Sequence, residues 1–124
     1  DRPNGIALSK DETHLMISNS GATKYLRRYE IDKNLSISNP IEFARQDPTN
    51  VFDGFRFDSE DNLWTSCGKS VVCYNNKGEQ IDIIEMPERV SNVEFGGQDG
   101  KTLFITASTS VYMADLNIKG AKFI

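Results

Sequence analysis

One pattern occurs three times in this chain, and nothing else in the sequence restricts the fold as tightly. The copies are PNGIALSKDETHLMIS (3–18), FDGFRFDSEDNLWTS (52–66) and SNVEFGGQDGKTLFITAS (91–108). In each, a polar residue (Asn4, Asp53 or Asn92) precedes a short alternating run. An acidic or Gly-containing turn follows, and then a second run opens at Leu15, Leu63 or Leu103. The offset from polar residue to leucine is 11, 10 and 11 residues, and the polar residues lie 49 and 39 residues apart. That spacing belongs to blade-type arrays, in which each unit buries its apolar faces only by stacking on its neighbours.

Each copy continues in kind. A third run (YLRRYEID, 25–32; VVCYNN, 71–76; VYMADL, 111–116) leads through a polar turn to a fourth (within 35–44; QIDIIEM, 80–86; AKFI, 121–124). No segment holds the 3.6-residue apolar period of a helix, although IEFARQ (41–46) is compatible with a helical turn. The expected fold is all-β: one domain, 1–124, made of three four-stranded antiparallel blades, half of a six-bladed β-propeller. Met16, Trp64 and Phe104, each one residue after the repeat leucine, are expected between neighbouring sheets. Ile6, Leu8, Phe55, Phe57, Val93 and Phe95 mark one face of the inner strands. An arc of three blades leaves two end faces open. The pattern therefore predicts self-association, with a twofold homodimer completing six blades, or a partner supplying a missing N-terminal half.

Composition limits the partners. The chain has 124 residues, and 18 acidic side chains exceed 14 Lys and Arg to give a net charge of −4. No basic stripe interleaved with aromatics is present, so no nucleic-acid partner is expected. Apolar runs are short, and no secretory start is visible, so no membrane association and a cytoplasmic location are expected. Cys67 and Cys73 read as small apolar fillers near a hairpin, with a cross-hairpin disulfide as the other possibility. The sequon Asn34-Leu35-Ser36 falls in a polar turn.

The residue that opens an inner strand sits at the mouth of a propeller's channel, and Asn4, Asp53 and Asn92 hold that place. A carboxylate and amide oxygens converging from adjacent blades are hard ligands suited to Ca²⁺ or Mg²⁺. Asn-Gly and Asp-Gly are equally ordinary turn dipeptides. His14, the single histidine, lies beside a turn, with no second histidine to build a triad. The acidic run Asp58 to Asn62 lacks the spacing of a calcium loop and reads as a hairpin turn.

These three segments, in this order, resemble the later part of the SMP-30/gluconolactonase/luciferin-regenerating-enzyme family of six-bladed propellers, from residue 3 to at least 112. The resemblance implies a divalent-metal-dependent hydrolase of the lactonase type acting on a small lactone or ester, with Ca²⁺ as the expected cation. Asn4 matches the family's P-N-G ligand, and Asp53 its D-G ligand and catalytic acid or base. Ser91-Asn92-Val93 matches a stretch near the substrate pocket. The family's first-blade Glu ligand has no counterpart here, so a non-catalytic half-propeller or binding and oligomerisation module is the alternative.

Overall fold

The computed structural model describes residues 1–123, and among them are strands and turns but no helix. The first sheet holds β1 (Pro3–Leu8), β2 (His14–Ser20), β3 (Lys24–Ile31) and β4 (Ile37–Arg45) in sequence order. The second holds β5 (Phe55–Phe57), β6 (Leu63–Cys67), β7 (Ser70–Tyr74) and β8 (Gln80–Glu85), and the third β9 (Val90–Gly96), β10 (Thr102–Ala107) and β11 (Val111–Asp115). All pairings within the sheets are antiparallel. These are three propeller blades, and inner strands β1, β5 and β9 lie side by side. Tight turns carry the meander. Between β6 and β7 only Gly68 and Lys69 separate the paired residues Cys67 and Ser70. The φ of +60° at Gly68 is the left-handed geometry that two-residue hairpins favour.

Strand alternation explains how the repeat packs. Leu15, Leu63 and Leu103 stand opposite Leu8, Phe57 and Phe95. Leu63 and Leu103 point back toward the preceding blade, whereas the next residue points forward. Met16 and Leu26 therefore meet Phe55, Phe57, Leu63, Val72 and Tyr74 in the seam between the first two blades. Trp64, Val71 and Cys73 meet Val93, Phe95, Leu103 and Ile105 in the seam between the second and third. Each such side chain contributes about 1.5–3 kcal/mol by leaving water. Met16 and Trp64 are interblade core as expected. Phe104, equivalent by sequence, is 37% exposed because no blade lies beyond it among the described residues.

Two local expectations need correction. IEFARQ forms no helical turn, because Ile41 to Arg45 complete β4 on the edge of β3. The fourth strand expected at AKFI does not form in its described part, 121–123, and Ile124 lies outside the described residues. After β11 the chain leaves the sheet edge and its backbone finds partners beneath the inner strands. Lys119 O accepts from Ser59 N (2.8 Å), Gly120 N donates to Gly100 O (3.1 Å) and Ala121 N donates to Phe57 O (3.0 Å). Lys122 pairs with Glu12 of the first blade at 3.1 Å. The tail thus clasps one end of all three inner strands, and the outer edge of β11 is unpaired among the described residues.

The cysteines are free, buried fillers. They lie on opposite faces of the middle blade, Cys67 in one seam and Cys73 in the other, so no disulfide can join them.

Candidate functional site

Asn4, Asp53 and Asn92 all lie at the end of the inner strands opposite the tail. The first sheet is irregular there: between Pro3 and Ile6 the pairing with β2 slips by one residue. Such a bulge re-aims side chains, and here it falls on Asn4 and Gly5. The third blade slips in the corresponding place, between Val90 and Asn92. In the second, regular pairing starts only at Phe55, after Asp53 and Gly54. Gly5 lies within β1 and Gly54 immediately precedes β5, and neither has positive φ. They permit close approach between blades. A Cβ on Gly5 would lie 1.9 Å from the Asp53 carbonyl oxygen, and one on Gly54 would lie 1.9 Å from Asn92 Oδ1.

Hydrogen bonds commit the three polar side chains differently. Asn4 Nδ2 donates to Ser20 Oγ at 3.2 Å, which leaves Oδ1 free as an acceptor. Asn92 is the reverse: its Oδ1 accepts from Val93 N at 2.9 Å, which leaves its amide group as a donor. The half-buried Asp53 carboxylate takes no hydrogen bond among the described residues. Its backbone, by contrast, is pinned. Asp53 N donates to Ser66 Oγ (2.9 Å), Gly54 N donates to Ser91 O (2.8 Å), and the Asp53 carbonyl accepts from Ser18 Oγ (3.4 Å).

Sequence reasoning missed those hydroxyls, although the repeat contained them. Ser18, Ser66 and Thr106 each stand three residues after the repeat leucine. Ser18 Oγ accepts from Gly5 N at 2.7 Å, Ser66 Oγ from Asp53 N, and Thr106 Oγ1 contacts Ser91 Oγ at 2.9 Å. A hydroxyl residue at the same register in the second strand of all three blades was the available signal. Arg89 was also missed. With Asp53, Ser91 and Ser108 it lines a cleft of about 410 Å³ at the mouth between the second and third blades.

Asp58 lies in the hairpin turn expected from the sequence, and it is completely buried. It accepts from Trp64 Nε1 (2.9 Å), from Asn62 Nδ2 and from the backbone N of Glu60 and Asn62. The signal was Trp64, whose indole N–H requires an acceptor when buried. Asp58 sits at the tail end of the inner strands, away from the mouth, and its role is to fix the β5–β6 turn. His14 begins β2, half-buried, with Nδ1 3.0 Å from Thr13 Oγ1.

The donor set suits a hard cation: one uncommitted carboxylate just before β5 and one amide oxygen near the start of β1. It carries a single negative charge. Among the described residues, no group of three or more His, Cys, Asp or Glu is gathered to hold a metal.

Three blades with polar groups gathered at one end of their inner strands define a partial β-propeller. The family model for the SMP-30/gluconolactonase/LRE-like region matches residues 1–109, and the chain belongs to that family. A gluconolactonase of Zymomonas mobilis is 36% identical over 120 residues, 89% of this chain and 33% of that protein. The solved structure of a gluconolactonase from Xanthomonas campestris superposes with a TM-score of 0.85 at 30% identity, covering 94% of this chain and 38% of that one. Regucalcin of Agrobacterium tumefaciens, a calcium-binding protein, shares the fold with a TM-score of 0.84 at 21% identity, covering 96% of this chain and 47% of that one. The chain thus spans between a third and a half of the length of these relatives.

Proposed function

We propose that this chain carries part of the active site of a divalent-cation-dependent lactonase of the gluconolactonase type, with Ca²⁺ as the cation. In this reading Asn4 Oδ1 and the Asp53 carboxylate are cation ligands, Asp53 is also the catalytic acid or base, and Asn92 contacts substrate. One observation carries it. The oxygens of Asn4 and Asp53 that the fold leaves uncommitted lie at the same end of neighbouring inner strands, in a chain whose family includes proteins named gluconolactonase.

When bound, the cation supplies Lewis-acid polarisation of the lactone carbonyl and charge against the developing oxyanion. Asp53 would help hold the cation, and its carboxylate orients a water and takes its proton as the water oxygen attacks the carbonyl carbon, the proton then passing to the leaving group. The ring C–O bond then breaks, and the alkoxide leaving group recovers a proton to give the hydroxy acid. Asn92, with its Oδ1 held by Val93, turns its NH₂ toward a substrate oxygen. Gly5 and Gly54 let the three strand openings approach closely enough for these groups to act on one small molecule.

A single carboxylate is too little charge for a tight divalent site, so the isolated chain should bind Ca²⁺ weakly and hydrolyse gluconolactone slowly or not at all. Calorimetric titration tests this, with Asp53→Asn expected to abolish binding while the circular dichroism spectrum stays unchanged. Micromolar or tighter binding that survives Asp53→Asn places the ion elsewhere and removes Asp53 from the site.

The exposed apolar end faces favour a second reading, a half-propeller whose role is assembly. Ile6 and Leu8 project from the first blade, Phe104, Val111 and Met113 from the third. A second copy, or a separate N-terminal half, would cover them.

A further inference from the structure

We infer that Ser20 is a positioning residue for the mouth: it fixes the Asn4 side-chain amide so that Oδ1, and not the NH₂ group, is presented to a cation. The inference rests on the reading of Asn4 as a cation ligand. A serine hydroxyl has one hydrogen to donate and lone pairs to accept with. Ser20 Oγ donates its hydrogen to the Phe52 carbonyl oxygen, 3.2 Å away, a group that can only accept. The Asn4 atom 3.2 Å from the same Oγ must therefore be a donor, which makes it Nδ2. Turning the amide over would set Oδ1 against the serine lone pairs, or take the hydrogen away from Phe52.

Ser18 shows the same polarity two residues earlier on the same face of β2. It accepts from Gly5 N and donates to Asp53 O, and both of those backbone groups admit only that direction. Ser18 and Ser20 form two rungs from Asn4-Gly5 across to Phe52-Asp53, beside the slip in the β1–β2 pairing. The face they occupy is otherwise core, since Met16 precedes them on it with no exposure.

The other blades sharpen the assignment. The position equivalent to Ser20, five residues after the repeat leucine, is Gly68 in the second blade and Ser108 in the third. The mouth residue of the second blade is Asp53, whose two oxygens are equivalent and need no such choice. In the third blade, Asn92 is oriented by Val93 N instead, and Ser108 Oγ points to Arg89 O at 3.5 Å. The oriented hydroxyl stands where an asparagine must show its oxygen.

The test uses the full chain. In metal-free protein, ¹⁵N relaxation of the Asn4 side-chain amide should give an order parameter near that of rigid backbone, about 0.85, falling below about 0.6 in Ser20→Ala. Ca²⁺ affinity should fall on the order of tenfold in Ser20→Ala, as for other partners that orient metal ligands, and Ser20→Thr should retain it. In an Asn4→Asp background, Ser20→Ala should leave Ca²⁺ affinity unchanged, because a carboxylate has no wrong way round. Unchanged amide order in Ser20→Ala overturns the inference. So does an equal loss of affinity in the Asn4→Asp background, which would mean that Ser20 supports the fold and not the amide. A wild type whose amide behaves as expected but that binds no Ca²⁺ overturns the ligand reading of Asn4, and this inference with it.

Discussion

The middle and third blades are built from the same repeat, yet they bury it differently. Every residue of β6 is buried, as are four of the five in β7, whereas β10 alternates and β11 is exposed at every second residue. Trp64 is 5% exposed and its equivalent Phe104 is 37% exposed. The residue types on the forward faces are alike in bulk, and what differs is the presence of a following blade. Burial here is a property of the array and not of the unit. A solitary blade would leave both faces wet, and an arc leaves its two outermost ones so.

That difference is open to direct measurement. Trp64→Ala removes a filled volume between two sheets and strands Asp58 without its indole partner, so it should cost about 3–5 kcal/mol in urea melts. Phe104→Ala, on the open face, should cost less than about 1 kcal/mol under conditions where the chain is monomeric. Equal losses would mean that Phe104 is covered in solution.

Glycines give a second, smaller contrast. A methyl at Gly5 meets the Asp53 backbone oxygen at 1.9 Å and Phe55 Cε1 at 2.7 Å, within a closed seam. At Gly96 the nearest atom is Phe104 Cε2 at 2.8 Å, the far end of a side chain free to swing into solvent. Gly5→Ala should therefore destabilise by about 1–3 kcal/mol, and Gly96→Ala should be close to neutral. A neutral Gly5→Ala would show that the first blade can slide on the second, and the mouth geometry would lose its support.

Blade number and strand faces were legible in the sequence because alternation and a fixed offset between repeats carry them. The pairing of Leu63 with Phe57, and the forward pointing of Met16 and Trp64, follow from period two alone. The fate of the last segment was not legible. AKFI has strand composition, but Ala121 N is satisfied by Phe57 O and the preceding Gly120 N by Gly100 O, partners from distant parts of the chain that local pattern does not encode. At the mouth, the positions of Asn4, Asp53 and Asn92 were readable. Their opposite hydrogen-bond commitments were not, since Asn4 is held by Ser20 across the irregular pairing of β1 and β2, and Asn92 by the N–H of its own neighbour Val93.

Closing the open faces should change the comparison itself. If two arcs pair, or the chain assembles further, light scattering at micromolar concentration will give a mass of at least twice 13.9 kDa. Met113→Lys, on the face that Val111 and Phe104 share, should then shift the mass toward the monomer by placing a charge in the interface. A stable mass of 13.9 kDa for the wild type would rule out pairing.

A last contrast concerns the two seams one at a time, since each holds one cysteine. Burial pushes the Cys67 thiol up from the ordinary 9.0 to about 11, and burial, with Asp58 and Asp82 nearby, pushes Cys73 up to about 12. In the unfolded chain both ionise near the ordinary value, so above about pH 9 the unfolded state holds fewer protons than the fold. Stability that is fully present below that pH should fall as pH rises, until the folded-state values are passed. Cys73→Val, which fills the same space without a titrating group, should flatten the decline between pH 9 and the folded-state value. Cys67→Val should do so over a narrower range, because its folded value is lower. Urea midpoints at successive pH values measure both slopes. Because Cys73 lies in the seam with the open-faced third blade, a slope that Cys73→Val leaves unchanged would mean that this seam is already wet, and that the arc's end fraying extends one blade inward.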